Sequence, residues 1–175
     1  VWNLQKGPAM YYANSDHATK EIGEGANLAF ETLLSCRSML EVSKIHDTVQ
    51  ELYRFVEKSG VNAVGPIIVT LHSGSVHDDS ILLDLEFLLP LPETIILKNP
   101  YTLIPSFTIS NAIYKRHTGP IVTLGRTYES LYEYCDRKKL RAVTDIHHIA
   151  VSPPTVNPES DEFCVDVYIG TRSVS

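Results

Sequence analysis

The order strand, helix, strand, strand runs twice along this chain, and that repetition restricts the fold more than any other feature. In the first pass, residues 28–40, LAFETLLSCRSML, have the composition of a strand. Ile45, Val49, Leu52 and Val56 then recur at helical spacing and predict one buried helix face. Asp47 with Gln50 reads as a capping box, and Gly60 supplies the stop. Pro66 to Leu71 is a β-branched strand, HSGSVHDDS a loop, and Ile81 to Leu89 a further strand ending at Pro90.

Residues 90–105 contain Pro90, Pro92, Pro100 and Pro105 and read as a linker. The second pass begins with Ser106 to Arg116, where Phe107, Ile109 and Ile113 mark an apolar face. His117-Thr118-Gly119-Pro120 breaks that strand. Ile121, Leu124, Tyr128, Leu131 and Cys135 predict a helix to about Lys139, with Pro120 in its first turn. Ala142 to Val151 and Phe163 to Ile169 read as strands, joined by the turn-rich SPPTVNPESDE.

The expected fold is therefore α+β. Tandem βαββ units over 28–89 and 106–175 form a curved antiparallel sheet, with two helices on one side and a ligand cleft on the other. Residues 1–27, polar and without clear periodicity, are expected to be an N-terminal extension.

The chain's 175 residues, 43% hydrophobic and 21% charged, suffice for a real core and exclude a disordered chain or a disulfide-dense one. The net charge of −6, with one short basic cluster at Arg137, Lys138, Lys139 and Arg141, argues against direct nucleic-acid binding. No apolar run reaches the length of a membrane span, and VWNLQKGPAM lacks the pattern of a signal peptide. Cys36, Cys135 and Cys164 are odd in number and widely spaced, which suits free thiols in a cytoplasmic protein.

The strands also carry chemistry. In Ile81–Leu89, Leu83, Leu85, Phe87 and Leu89 point one way while Asp84 and Glu86 point the other. In Phe163–Ile169, Val165, Val167 and Ile169 share a face while Asp166 and Tyr168 point away. Glu86 and Asp166 fall in the same slot of the two units, on the face opposite the helix. A carboxylate facing a partly enclosed cleft calls for a cation or a hydrogen-bond donor, and aromatic walls would add cation–π attraction. Tyr168 shares a face with Asp166, and Tyr114, near a strand end, could form a wall.

Seven histidines invite a metal reading. The adjacent His147 and His148 point to opposite faces of their strand, however, and His72 with His77 has no ligand spacing, so no metal is expected. No nucleophile elbow or phosphate-binding glycine loop is present, and no cofactor is expected.

The second half, HTGPIVTLGRTYESLYEYCDRKKL through IHHIAVSPPTVNPESDEFCVDVYIG, resembles a GyrI-like domain, the small-molecule-binding module of multidrug-responsive bacterial regulators. The first half is similar through LYRFVEKSG, GPIIVTL and the Glu86–Pro90 string. The resemblance implies two βαββ modules around a shared pocket, with a closing-strand carboxylate meeting cationic aromatic ligands. This chain has Asp166 where the family usually has Glu, and Ile149 where an aromatic is common. No helix-turn-helix segment precedes the domain, so a stand-alone form is expected.

The resemblance gives three functional expectations. The first is capture of a small aromatic molecule, in particular a cationic one, in a cleft between the two βαββ halves by Glu86, Asp166, Tyr168 and Tyr114. The second is hydrolysis of strained electrophilic natural products with a pocket carboxylate as general base. The third is a protein-interaction role such as topoisomerase modulation.

Overall fold

A computed structural model of the chain describes residues 21–175; the first 20 residues of the expected extension lie outside the described ones. Among the described residues, six strands and two α-helices follow in the order β1 (Gly23–Leu40), α1 (Ile45–Lys58), β2 (Ile68–His77), β3 (Ser80–Pro90), β4 (Thr102–Thr118), α2 (Leu124–Lys138), β5 (Leu140–Ala150) and β6 (Cys164–Ser173). A short 3₁₀ turn leads into each helix, at Val42–Lys44 and Ile121–Thr123. The chain is α+β, and strand, helix, strand, strand occurs twice.

Every strand pairing is antiparallel, and the sheet closes on itself in the order β1-β3-β2-β5-β6-β4. Within each half the first strand pairs with the third and the third with the second. The halves meet along β1·β4, a long seam, and along β2·β5, where only Ile68–Leu71 pair with Ile149–Ile146. Closure removes free sheet edges. It also turns the face opposite the helices into a barrel interior.

The alternation read from the sequence holds on both faces. Leu85, Phe87 and Leu89 of β3 pack outward with Leu52 and Val56 of α1. Val165, Val167 and Ile169 of β6 pack outward with Leu131 and Cys135 of α2. The inward-facing core is separate and contains no helix residue: Phe30, Leu33, Ile68, Leu88, Ile149 and Tyr168 belong to it. Both helices thus cover the same face of one sheet.

Two strands need a local device to keep this alternation over their length. Thr32 in β1 and Asn111 in β4 have φ of 52° and 50°, in the left-handed region. Asn111 adjoins a register shift in the β1·β4 pairing, and Thr32 directly precedes Leu33, where β1 begins to pair with β3. Leu91 N–H bonds Thr32 O at 2.8 Å, and the Asn27 side chain accepts from Asn111 N–H at 3.0 Å.

Four local readings are corrected. β1 begins at Gly23, inside the expected extension. HSGSVH is strand rather than loop, because β2 continues opposite Ile81–Leu83 and turns only at Asp78-Asp79. Both aspartates have positive φ (45° and 67°), the backbone of a tight two-residue hairpin turn. Asp47 does not cap α1: the helix starts at Ile45 behind the 3₁₀ turn, and Lys44 at the cap makes no side-chain cap bond. Gln50 reaches instead from α1 to the Pro154 carbonyl.

Val167 is fully buried beneath α2. Val167→Ala is expected to cost about 2 kcal/mol, from two lost methyl groups plus the void they leave. Urea unfolding reads this directly, and a loss below about 0.5 kcal/mol would mean the position behaves as surface.

Candidate functional site

The inward face carries the residues that the sequence singles out, and each already has a partner. Asp166 on β6 lies opposite Arg116 on β4. Arg116 Nε donates to Oδ1 at 2.8 Å and Nη2 to Oδ2 at 2.9 Å, a bidentate pair. The Asp166 side chain is only 4% exposed. Tyr114 and Tyr168, the next pair along the same two strands, stack with ring centroids 5.1 Å apart. Burial raises the Tyr168 phenol pKa well above its ordinary value.

Glu86 belongs to a different network. Ser35 Oγ donates to Oε1 at 2.8 Å, and His72 Nε2 lies 2.9 Å from Oε2. His72 Nδ1 lies 2.7 Å from Asp145 Oδ2, so one imidazole joins β2 to β3 and to β5 across the short seam. Beside it Arg37 bonds both oxygens of Asp84, at 2.9 and 2.7 Å. The structure therefore brings Asp166, Tyr168 and Tyr114 together around Arg116, and holds Glu86 in the His72 network. Sequence reading missed Arg116, although it shares the alternation frame of Tyr114.

An open apolar cleft lies on the other face. A cleft of about 430 Å³ lies between the two helices, over the outer surface of the central strands. Ile45 and Val49 of α1 form one wall, and Leu124, Gly125 and Tyr128 of α2 the other. Val69 and Leu71 of β2 with His148 and Ala150 of β5 make the floor. The proline-rich connection before β6 closes the back through Pro154, Val156 and Pro158. That connection is tied to α1 by Gln50 to the Pro154 carbonyl, and to the 3₁₀ turn before α2 by Ile121 N–H to Pro158 O at 2.7 Å.

Among the described residues lining the cleft there is no Asp, Glu, Lys or Arg; His46 of α1 is one of them, and Glu86, Asp166, Tyr168 and Tyr114 are not. This cleft lies on the helix side of the sheet, and the acids lie on the opposite side. The reason is closure: the acid-bearing face curls inward and fills with its own side chains, while two helices resting on one convex sheet leave a furrow between them.

His148 supplies the chief polar feature of the floor. Its Nδ1 lies 2.7 Å from Val69 O and its Nε2 2.5 Å from the Tyr128 hydroxyl. Burial lowers the His148 pKa from 6.5 to about 4 and raises that of Tyr128 above its ordinary value. On the inner face His147 contacts Thr70 Oγ1 at 2.8 Å, with Phe107 edge-on at 5.1 Å, and burial likewise lowers its pKa to about 4. Among the described residues no three His, Cys, Asp or Glu side chains group as a metal site, and no helix is long and apolar enough to cross a membrane.

No family model matches the sequence, and no curated protein matches it. Solved structures do match the fold. EcmrR in its DNA complex is 14% identical with a TM-score of 0.69, over 94% of this chain and 62% of EcmrR. The chain thus spans less than two thirds of that protein. The C-terminal domain of EcmrR alone aligns over 88% of this chain and 97% of the domain, at 16% identity and a TM-score of 0.65. An uncharacterized conserved protein from Listeria innocua aligns over 93% and 97%, at 14% identity and a TM-score of 0.67. A hydrolase from Listeria innocua aligns over 93% and 98%, at 13% identity and a TM-score of 0.59. The fold is that of the EcmrR C-terminal domain.

Proposed function

We propose that the protein is a GyrI-like small-molecule-binding module whose ligand is a small, uncharged aromatic molecule held between α1 and α2. The observation that carries this reading is the 430 Å³ cleft, lined among the described residues by no Asp, Glu, Lys or Arg side chain. That volume is ordinary for a ligand site. A flat apolar molecule would gain from leaving water there, whereas a cation would lose hydration and meet no counter-charge. The GyrI-like sequence pattern and the shared fold support a binding role.

The hydrolase reading draws less support from the geometry. A general base needs a lone pair open to a water molecule. Each oxygen of Asp166 already accepts from Arg116, and the two of Glu86 already face Ser35 and His72, partners that stabilise the charged form and so weaken either carboxylate as a base.

Gly125 makes a clean test. It lines the cleft, and a Cβ built on it meets nothing within 4 Å. Gly125→Leu should fill the cleft while raising helix stability by up to about 1 kcal/mol. Fluorescence titration with N-phenyl-1-naphthylamine, a neutral probe, should show binding to the wild type and at least tenfold weaker binding to the variant. Equal affinities would sink the cleft as the site. A wild type that prefers the cationic dye thioflavin T, with affinity lost in Glu86→Gln, would place the site at the inward carboxylates instead.

A further inference from the structure

We propose that Tyr128 and His148 make the cleft selective for ligands that present one hydrogen-bond donor, a phenol-type hydroxyl or ring N–H, on a flat apolar body. This rests on the cleft being the binding site.

The argument follows the protons. Val69 O can only accept, so the His148 nitrogen 2.7 Å away, Nδ1, carries a hydrogen. His148 is 8% exposed and stays neutral above its lowered pKa of about 4. A neutral imidazole has one N–H, and Val69 has used it. Nε2 therefore presents a lone pair, and the Tyr128 hydroxyl 2.5 Å away donates to it. The direction of the chain is set: Tyr128 O–H to His148 Nε2, His148 Nδ1–H to Val69 O.

Tyr128 has then spent its only hydrogen, while its oxygen keeps accepting capacity. The pair can receive a hydrogen bond from a ligand and cannot offer one. Ser152, which also lines the cleft, is occupied: its Oγ donates to Cys164 O at 3.2 Å and accepts from Cys164 N–H at 3.1 Å. A ligand carboxylate or phosphate set against this pair would face its lone pairs, and no Lys or Arg is among the described residues lining the cleft. An ammonium could donate but would be desolvated without a counter-charge. A neutral aromatic donor meets neither cost.

The test compares 2-naphthol with 2-methylnaphthalene, nearly the same shape with and without a donor. Calorimetric titrations use the wild type and the variant Tyr128→Phe/His148→Leu, which removes both acceptors. The preference for 2-naphthol should be about 3- to 10-fold greater in the wild type than in the variant, the size of one net hydrogen bond. A preference unchanged within twofold overturns the proposal. A measurement on the wild type alone guards against a misfolded variant: the ¹⁵N resonance of His148 Nε2 should move with 2-naphthol and stay put with 2-methylnaphthalene. Equal movement with both overturns it as well. Failure of both molecules to bind wild type would remove the cleft reading itself. Binding of both without donor preference would remove only this inference.

Discussion

Arg116→Met is expected to cost the protein about 3–5 kcal/mol, because it strands the Asp166 carboxylate inside the barrel. The ion pair is bidentate at 2.8 and 2.9 Å, and the Asp166 side chain is 4% exposed. Water can barely reach that carboxylate to replace the lost donors. The loss therefore reflects a buried, unpaired charge more than the attraction removed. The double variant Arg116→Met/Asp166→Leu takes away both charges and should recover most of the loss, since an apolar pair of similar volume is often as stable. Urea unfolding of both variants decides it. A single variant losing under about 1 kcal/mol, or a double variant no better than the single, would show that the carboxylate is hydrated or rescued by another group.

Acid should weaken the fold well before the carboxylates titrate. His147 and His148 are held neutral in the folded protein, chiefly by burial, with pKa values lowered from 6.5 to about 4. Around His147, the charges of Asp145 and Glu86 pull the other way without overcoming burial. The unfolded chain takes up both protons near pH 6.5, and the folded chain resists until about pH 4. These two groups therefore contribute their full stability above pH 6.5 and lose it as the pH falls to about 4. The combined loss is on the order of 5 kcal/mol. Denaturation midpoints measured at intervals from pH 7 to pH 4.5 should fall steadily. His147→Gln/His148→Gln should flatten that slope, whatever it does to stability at pH 7. A wild-type midpoint that stays level over this range would mean that one or both rings are already protonated, or open to water, in the folded state.

Much of the architecture was legible along the chain because it depends on short-range periodicity. Ile45, Val49, Leu52 and Val56 are the buried residues of α1, and Leu124, Leu131 and Cys135 are buried on α2. Period-two alternation separated Leu85 and Phe87 from Glu86, and Val167 from Asp166 and Tyr168, and the two faces pack accordingly. Each of these features follows from which side of one element a residue occupies. Local signals failed where partners from elsewhere overrode them. HSGSVH has poor strand composition, yet it pairs with β3 because the left-handed Asp78-Asp79 turn sets the register. Gln50 had the spacing of a capping residue, yet it bonds Pro154, 104 positions away.

The site itself was a tertiary decision. Alternation could say that Glu86 and Asp166 face away from the helices, but not whether that face would be a cleft or a closed barrel. Closure depends on β1 pairing with β4 while β2 pairs with β5, two contacts between halves that no local pattern encodes. Pairing inside each half sets Arg116 against Asp166 across β4·β6 and His72 against Glu86 across β2·β3, and closure between the halves then turns that face inward. The space left over lies outside, where two helices on a convex sheet cannot touch along their full length. Its floor residue, His148, was visible in the sequence only as one of two adjacent histidines. Its partner, Tyr128, stands 20 residues earlier on another element, and only packing α2 against β5 brings the pair together.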